Sequence, residues 1–300
     1  MSRNIKKALL FIGLTYFFSW LLAILFFAFG GKWGSPASLA MAVIYMFVPM
    51  IIAIIVQKFI CKEPIKKPLG ISFKLNRWFL VAWLLPPVIA VATIGLSLIF
   101  PGVEFTANPE ASRILEYFRT VLPAERLQEL ESQTSSLPFH PFWFALLTGL
   151  VAGITINAIA GFGEELGWRG FLQREFEFIG FWKSSLVIGF IWGIWHAPII
   201  LQGHNYPQHP TTGVFMMTIM CILLAPIFSY IRLKANSVIA AAIIHGSLNA
   251  TAGLSLMVVK GGNDLTVGVA GLAGFIVLVL INIVLFIYDR LIAKEPIMSR

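Results

Sequence analysis

The sequence predicts an all-α fold, a polytopic bundle of about eight transmembrane helices enclosing an intramembrane cavity that faces the cytosol. Three observations predict the class. Hydrophobic residues make up 58% of the chain and charged ones only 12%, with a mean hydropathy of +0.84, against about 25% charge in soluble domains. The apolar runs are individually long enough to supply the ~20 helical residues that cross a hydrocarbon core. They are rich in Leu, Ile, Phe and Ala with Trp and Tyr near many ends, unlike the alternating stretches of about ten residues that mark barrel strands.

Taken in order, the runs cover residues 8–30, 36–57, 79–100, 142–159, 182–201, 212–231, 237–259 and 267–288. Positive charge precedes the first, as it would a signal peptide, but the apolar stretch is too long and no small-residue cleavage site follows, so it reads as a retained span. Between the second and third runs lies a short basic loop, KEPIKKPLGISFKLNR, suited to anionic head groups. The connection 101–141 reads as an extracytoplasmic loop carrying an amphipathic helix, with Ile114, Leu115, Phe118, Val121 and Leu122 at helical spacing and a break at Pro123. It is expected to cap the bundle. No repeat and no long linker divides the chain, so residues 1–300 form one membrane domain in which 142–249 carry the chemistry.

Charge placement orients the bundle. The net charge of +8 would suit nucleic acid if it were clustered on a soluble face, but it is distributed by side of the membrane. Arg3, Lys6, Lys7, the basic residues from Lys58 to Arg77, Arg169, Arg174, Lys183, Arg232, Lys234, Arg290, Lys294 and Arg300 fall on one side. Lys32, Arg113, Arg119, Arg126 and Lys260 fall on the other. The positive-inside rule then puts both termini of a cell-membrane protein in the cytosol. Lipid is its surroundings and nucleic acid is not a partner. Cys61 and Cys221 form no CxxC pair and no disulfide framework.

Ionisable groups inside spans cost about 2.5 to 3.5 kcal/mol each when charged at mid-helix, so each needs a reason. Here they are few: Glu164, Glu165 and Arg169 after the fourth run, His196 in the fifth, and His245 with Asn249 in the seventh. His140, His204 and His209 fall near prolines and read as solvated turn residues. On a helix, residues four apart sit about 40° from one another, so Glu165 can pair with Arg169 while Glu164 points away. One carboxylate is thereby tied to a structural partner and the other is left to face a cavity, where it can serve as a base. His245 and Asn249 share a helix face by the same spacing, as do Trp192 and His196. Pro198 deprives the Ile194 carbonyl of its helical donor and opens room for a kink.

An acid, two imidazoles and a carboxamide can hold and activate a water and stabilise an oxyanion beside a scissile amide. Glu164, His196 and His245 are equally a ligand set that a catalytic zinc accepts, so a divalent metal stays open as a cofactor. Taken singly, each group also has a packing role, since an intramembrane His often bonds one helix to another and a Glu–Arg pair satisfies charge. For the three groups to meet, the fourth helix must continue through EELGWR in the cytosolic half of the bilayer, around a water-filled cavity open to the cytosol.

The combination and its order resemble the CAAX protease and bacteriocin-processing family, also called the ABI family, which includes the type II CAAX prenyl endopeptidases. The family pattern is E-E-x-x-x-R, then F-x-x-x-H, then H-x-x-x-N or H-x-x-x-D. Here EELGWR supplies Glu164, Glu165 and Arg169, WGIWH supplies His196 with Trp192 where the family usually shows Phe, and HGSLN supplies His245 and Asn249. The resemblance implies an intramembrane endopeptidase in which Glu164 activates the attacking water, Glu165 pairs with Arg169, and His196, His245 and Asn249 bind or polarise the intermediate. Trp192 would support the site. The implied substrate is a protein or peptide, prenylated at a CAAX terminus in the eukaryotic enzymes, and the family's mechanism has been described both as metal-dependent and as glutamate-based.

Other intramembrane proteases do not fit. Asp264 and Asp289 are the only aspartates and flank the last run, GGND at 261–264 is not GxGD, and no GxSG serine elbow occurs. A proton-coupled transporter, in which Glu, Arg and His would form a relay, is a less favoured alternative, since no convincing inverted repeats or paired helix breaks stand out. A non-catalytic partner or a bacteriocin self-immunity protein of the same fold is the further alternative.

Overall fold

Helix starts follow local capping chemistry. In the computed structural model, which describes residues 3–299, α1 (Arg3–Ala28) is followed by α2 (Pro36–Ile54). Ser35 caps α2, its Oγ accepting the Ser38 N–H, and Pro36 occupies a position where a missing N–H costs nothing. α2 loosens into a π turn at Ile55–Ile60. Asn76 caps α3 (Arg77–Ser97) by accepting the Trp78 N–H at 3.0 Å. Of the charges expected beside the termini, Arg300 lies outside the described residues.

The 101–141 connection contains α4 (Arg113–Val121) and α5 (Ala124–Ser135), separated at Leu122 and Pro123. A short strand before them, β1 (Glu104–Phe105), pairs antiparallel with β2 (Val259–Lys260), setting Glu104 opposite Lys260 with an ion pair of 2.9 Å. Through this pairing the long connection is fixed over the same end of the bundle as the 29–35 and 201–209 loops.

α6 (Pro141–Ile154) and α7 (Ile156–Glu165) meet at Thr155, whose φ of −117° and ψ of −104° leave the helical region, and the path bends by 48°. α7 then runs through a π turn, Leu166–Leu172, into α8 (Gln173–Glu175). After Gly180, at φ +81°, come α9 (Phe181–Trp195) and α10 (Ala197–Ile200). α11 (Pro210–Ala235) ends at Asn236 in a left-handed conformation, Ser237 caps α12 (Val238–Thr251), and α13 (Leu272–Leu291) closes the chain.

The structure has the all-α, multi-pass membrane class that the sequence predicts. Among the described residues, six helices are long and apolar enough to cross a membrane, or seven with the bent α6–α7 pair taken as one span. Eight runs were expected. The shortfall has a physical cause: the fifth run is cut at Trp195 because Pro198 cannot donate to Ile194, leaving α9 at 15 residues.

α11 and α12 form the centre, each 67% buried over its apolar window, whereas α1 is only 22% buried and turns its large apolar side chains outward to lipid. α12 packs against α7, α6 and α3, and α11 against α9. The close approach of α12 depends on a small residue, as at membrane helix interfaces generally. A Cβ added at Gly246 would stand 2.4 Å from the Ala158 nitrogen and 2.6 Å from the Gly153 oxygen. That contact brings His245, one residue earlier, against α7 and its glutamates.

Candidate active site

Glu164 and Glu165 end α7, and both are buried, at 2% and 0% exposure. The π turn that follows carries Arg169 back over Glu165, and Arg169 Nη1 donates to Glu165 Oε1 at 3.0 Å with both side chains fully buried. The same carboxylate oxygen lies 2.8 Å from His245 Nδ1 on α12. A carboxylate paired with a guanidinium has only lone pairs to offer, so the hydrogen of this bond belongs to Nδ1. His245 Nε2 is therefore aimed the other way, and it stands 3.8 Å from Glu164 Oε1.

The other oxygen of Glu164, Oε2, accepts the indole N–H of Trp192 at 2.7 Å. Trp192 also offers its carbonyl to His196 Nδ1 at 2.8 Å, which fixes the hydrogen on Nδ1 and leaves Nε2 of the neutral ring with its lone pair. Its ring is packed by His196 and Phe228, each with centroids 5.7 Å away, and by the Arg169 guanidinium, 4.6 Å from its centroid. With the His245 ring also 5.5 Å from its centroid, one side chain thus touches the acid, both histidines and the arginine. The sequence expects Trp192 to support the site, and its indole N–H, which the family's usual Phe lacks, gives that support a direct contact with Glu164.

His196 sits where the fifth run breaks. With Ile199 donating to His196 at 3.1 Å rather than to Trp195, the Trp195 carbonyl is free of the helix and accepts the Tyr45 hydroxyl at 2.6 Å and the Trp20 indole at 3.1 Å. Donors from α1 and α2 therefore satisfy the broken backbone and hold the imidazole in place.

Glu164, His196, His245 and Asn249 line one cavity of about 330 Å³, with Tyr45 and Trp192 also on its wall. Among the described residues, no group of three or more His, Cys, Asp or Glu side chains is placed to hold a metal ion. The sequence-derived set is thus brought together around the cavity, with Glu165 and Arg169 behind it.

Two expectations need correction. The cavity extends toward Trp33, His204, Asn205 and Ala270, in the loops at the bundle end opposite the termini, so it faces away from the cytosol if the termini are cytosolic. The reason is local: Arg169, stacked under Trp192 and Phe228 and tied to Glu165, fills the bundle on the terminal side. The loop histidines are also not simply solvated. His204 lines the cavity, packs edge-on to Trp33 with centroids 4.7 Å apart, and has a buried Nδ1 with no partner; burial lowers its pKa to about 4. His209 binds Asp264 at 2.5 Å, joining two loops, and His140 caps α6 by accepting the Phe142 N–H.

Trp192→Phe isolates the indole bond, since it keeps a ring between Arg169 and Phe228 but removes the donor to Glu164. Loss of a hydrogen bond to a charged group is worth about 1.5 to 3 kcal/mol, so whatever reaction Glu164 serves is expected to slow by about tenfold or more, with a fall of a few degrees in melting temperature. An unaltered rate would show that Trp192 only packs.

Comparison with known proteins gives a partial match. Residues 138–251 match the family described as Type II CAAX prenyl endopeptidase Rce1-like. CAAX prenyl protease 2 of Methanococcus maripaludis is 33% identical over 67 residues, a stretch that covers 21% of this chain and 24% of that relative. The chain therefore spans about a quarter of the length of the curated relative it matches. Over residues 138–251, which contain every member of the polar cluster, this multi-pass membrane protein is similar to the type II CAAX prenyl endopeptidases, as its motifs imply.

Proposed function

We propose that the protein is an intramembrane endopeptidase that hydrolyses a peptide bond near the C-terminus of a protein or peptide, with Glu164 as the base that activates water. The carrying observation is the pairing of Glu164 Oε1 with His245 Nε2 at 3.8 Å across a buried cavity wall. That separation exceeds a direct hydrogen bond and suits two groups sharing one water.

In the reaction, Glu164 takes a proton from the water as its oxygen attacks the peptide carbonyl carbon. The Asn249 carboxamide donates to the oxyanion that forms, and His245 does so when its Nε2 carries the second proton. Glu165, held by Arg169, compensates the positive charge His245 then holds. Glu164 passes its proton to the amide nitrogen, the C–N bond breaks, and an amine and a carboxylate leave. His196 Nε2 orients the substrate or water from the opposite wall. No step is routed through a metal, because the donor set among the described residues forms no metal cradle.

The family likeness makes a CAAX-type chain end, prenylated or not, the first substrate to test. Purified protein is expected to cleave a quenched prenylated CAAX peptide at a rate that a strong chelator leaves unchanged. Loss of cleavage on chelation, with recovery on adding zinc, would replace the glutamate reading by a metal-dependent one.

The charge bias further supports a cell-membrane protein with both termini in the cytosol. Cys61 is partly exposed at the terminal end and Cys221 is buried, so a membrane-impermeant maleimide is expected to label Cys61 only after permeabilisation. Labelling in intact cells would invert the orientation.

A further inference from the structure

A second cavity, of about 300 Å³, lies at the terminal end of the bundle. Its walls include Arg169, Gln173, Arg174 and Arg232 together with Gly180 and Phe181. Three features make it unlike a solvated crevice. Arg169 is 1% exposed, and its Nε and Nη2 are buried without partners, its one ion pair to Glu165 using Nη1. Arg232 Nε is likewise buried and unpartnered. In addition, the 15-residue α9 begins on this wall with no side-chain cap, so its first N–H groups and the positive end of its dipole are at the cavity.

Buried donors left unpaired cost free energy, and the exceptions in a native fold call for a ligand or an explanation. Guanidinium forks and an uncapped helix N-terminus both match a compact oxyanion. The carboxylates nearby are already engaged or peripheral. Glu175 and Glu63 bind Arg174 and Glu165 binds Arg169, while Glu177, an exposed residue on the cavity wall, acts on Arg232 through its charge without forming an ion pair with it. No acidic side chain is paired with Arg232 among the described residues.

We propose that this cavity is a binding site for a phosphate-type oxyanion, held by Arg169 and Arg232 and by the N-terminus of α9. Arg232 is placed for this by Gly70, whose φ of +69° and missing side chain let the guanidinium lie against the loop; a Cβ there would stand 1.9 Å from Arg232 Nη2. The oxyanion is either free phosphate from the aqueous phase or the headgroup phosphate of an anionic lipid, and the two share the chemistry that the site recognises. The site does not rest on the protease reading, and its test does not use cleavage.

The experiment measures thermal unfolding of the full chain by tryptophan fluorescence in two arms. In one, inorganic phosphate is titrated against chloride at equal ionic strength, with the protein in a neutral detergent. In the other, phosphatidylglycerol replaces phosphatidylcholine in nanodiscs free of inorganic phosphate. A saturable rise in melting temperature is expected in at least one arm, and which arm responds identifies the source of the oxyanion. Arg232→Gln is expected to weaken the apparent affinity about tenfold or more, as for loss of a charged hydrogen bond. Gly70→Ala, which displaces the guanidinium without changing charge, is expected to do the same and stands in if Arg232→Gln does not fold. No saturable rise in either arm, or a rise that both variants retain in full, would overturn the proposal.

Discussion

Replacing Glu164 by Gln is expected to lower peptide cleavage by about 10²- to 10⁴-fold, the range over which a positioned general base contributes, while the bundle stays folded. The substitution is nearly isosteric, and its carbonyl oxygen can still accept the Trp192 indole N–H that now sits 2.7 Å from Oε2. What it removes is the proton acceptor. The measurement is single-turnover cleavage of the quenched peptide alongside the melting temperature. A variant that cleaves within about threefold of the wild type, correctly folded, would take Glu164 out of the base role. His245→Ala is expected to be as damaging, because it removes the Nε2 that faces Glu164 at 3.8 Å.

Arg169→Met is expected to have the largest effect on stability. It leaves the Glu165 carboxylate fully buried without its cation, and removing one partner of a buried pair costs about 3–5 kcal/mol, a large share of a typical stability of about 5–15 kcal/mol. Arg169→Lys is not expected to rescue it, since an ammonium cannot stack flat over the Trp192 and Phe228 rings that the guanidinium now meets at 4.6 and 5.1 Å. Removing both charges, as Arg169→Met with Glu165→Gln, is expected to restore most of the melting temperature, because the buried charge has gone. Cleavage is expected to stay low in the double variant, since the substituted carboxamide would still accept the His245 Nδ1–H but could not compensate an imidazolium. A double variant with wild-type cleavage would show that the Glu165–His245 contact is structural only.

Local spacing made part of this legible. The four-residue step from Glu165 to Arg169 foretells their contact, and the neighbouring position of Glu164 foretells that it points elsewhere; both hold in the structure, at 3.0 Å and on the cavity wall. Pro198 likewise marks the end of α9. The sharing of Glu165 with His245 was not legible, because it joins residues 80 positions apart and depends on how closely Gly246 lets α12 approach α7. Nor was the bend at Thr155, where Gly153 and a Thr155 hydroxyl donating to the Val151 carbonyl at 2.7 Å loosen the helix without a proline to announce it. His204 differs for a related reason: its proline-rich surroundings suit a solvated turn, and only tertiary packing against Trp33 half-buries it and shields its Nδ1. The direction of the cavity depends on which end Arg169 fills, and hydropathy carries no information about that.

Arg169 has a consequence for the membrane itself. The two cavities enter the bundle from opposite ends, and the layer formed by Arg169, Glu165 and Trp192 stands between them. Loss of that layer is expected to open a path for ions between the two cavities and to dissipate the gradient across the bilayer. A fixed guanidinium is suited to prevent this, since a permanent positive charge at a constriction repels protons and alkali cations, as it does in water-selective pores. The double variant that restores folding should therefore still betray the loss of Arg169: liposomes containing it are expected to dissipate an imposed pH difference faster than liposomes containing the wild-type protein. Equal dissipation would mean that packing alone seals the bundle.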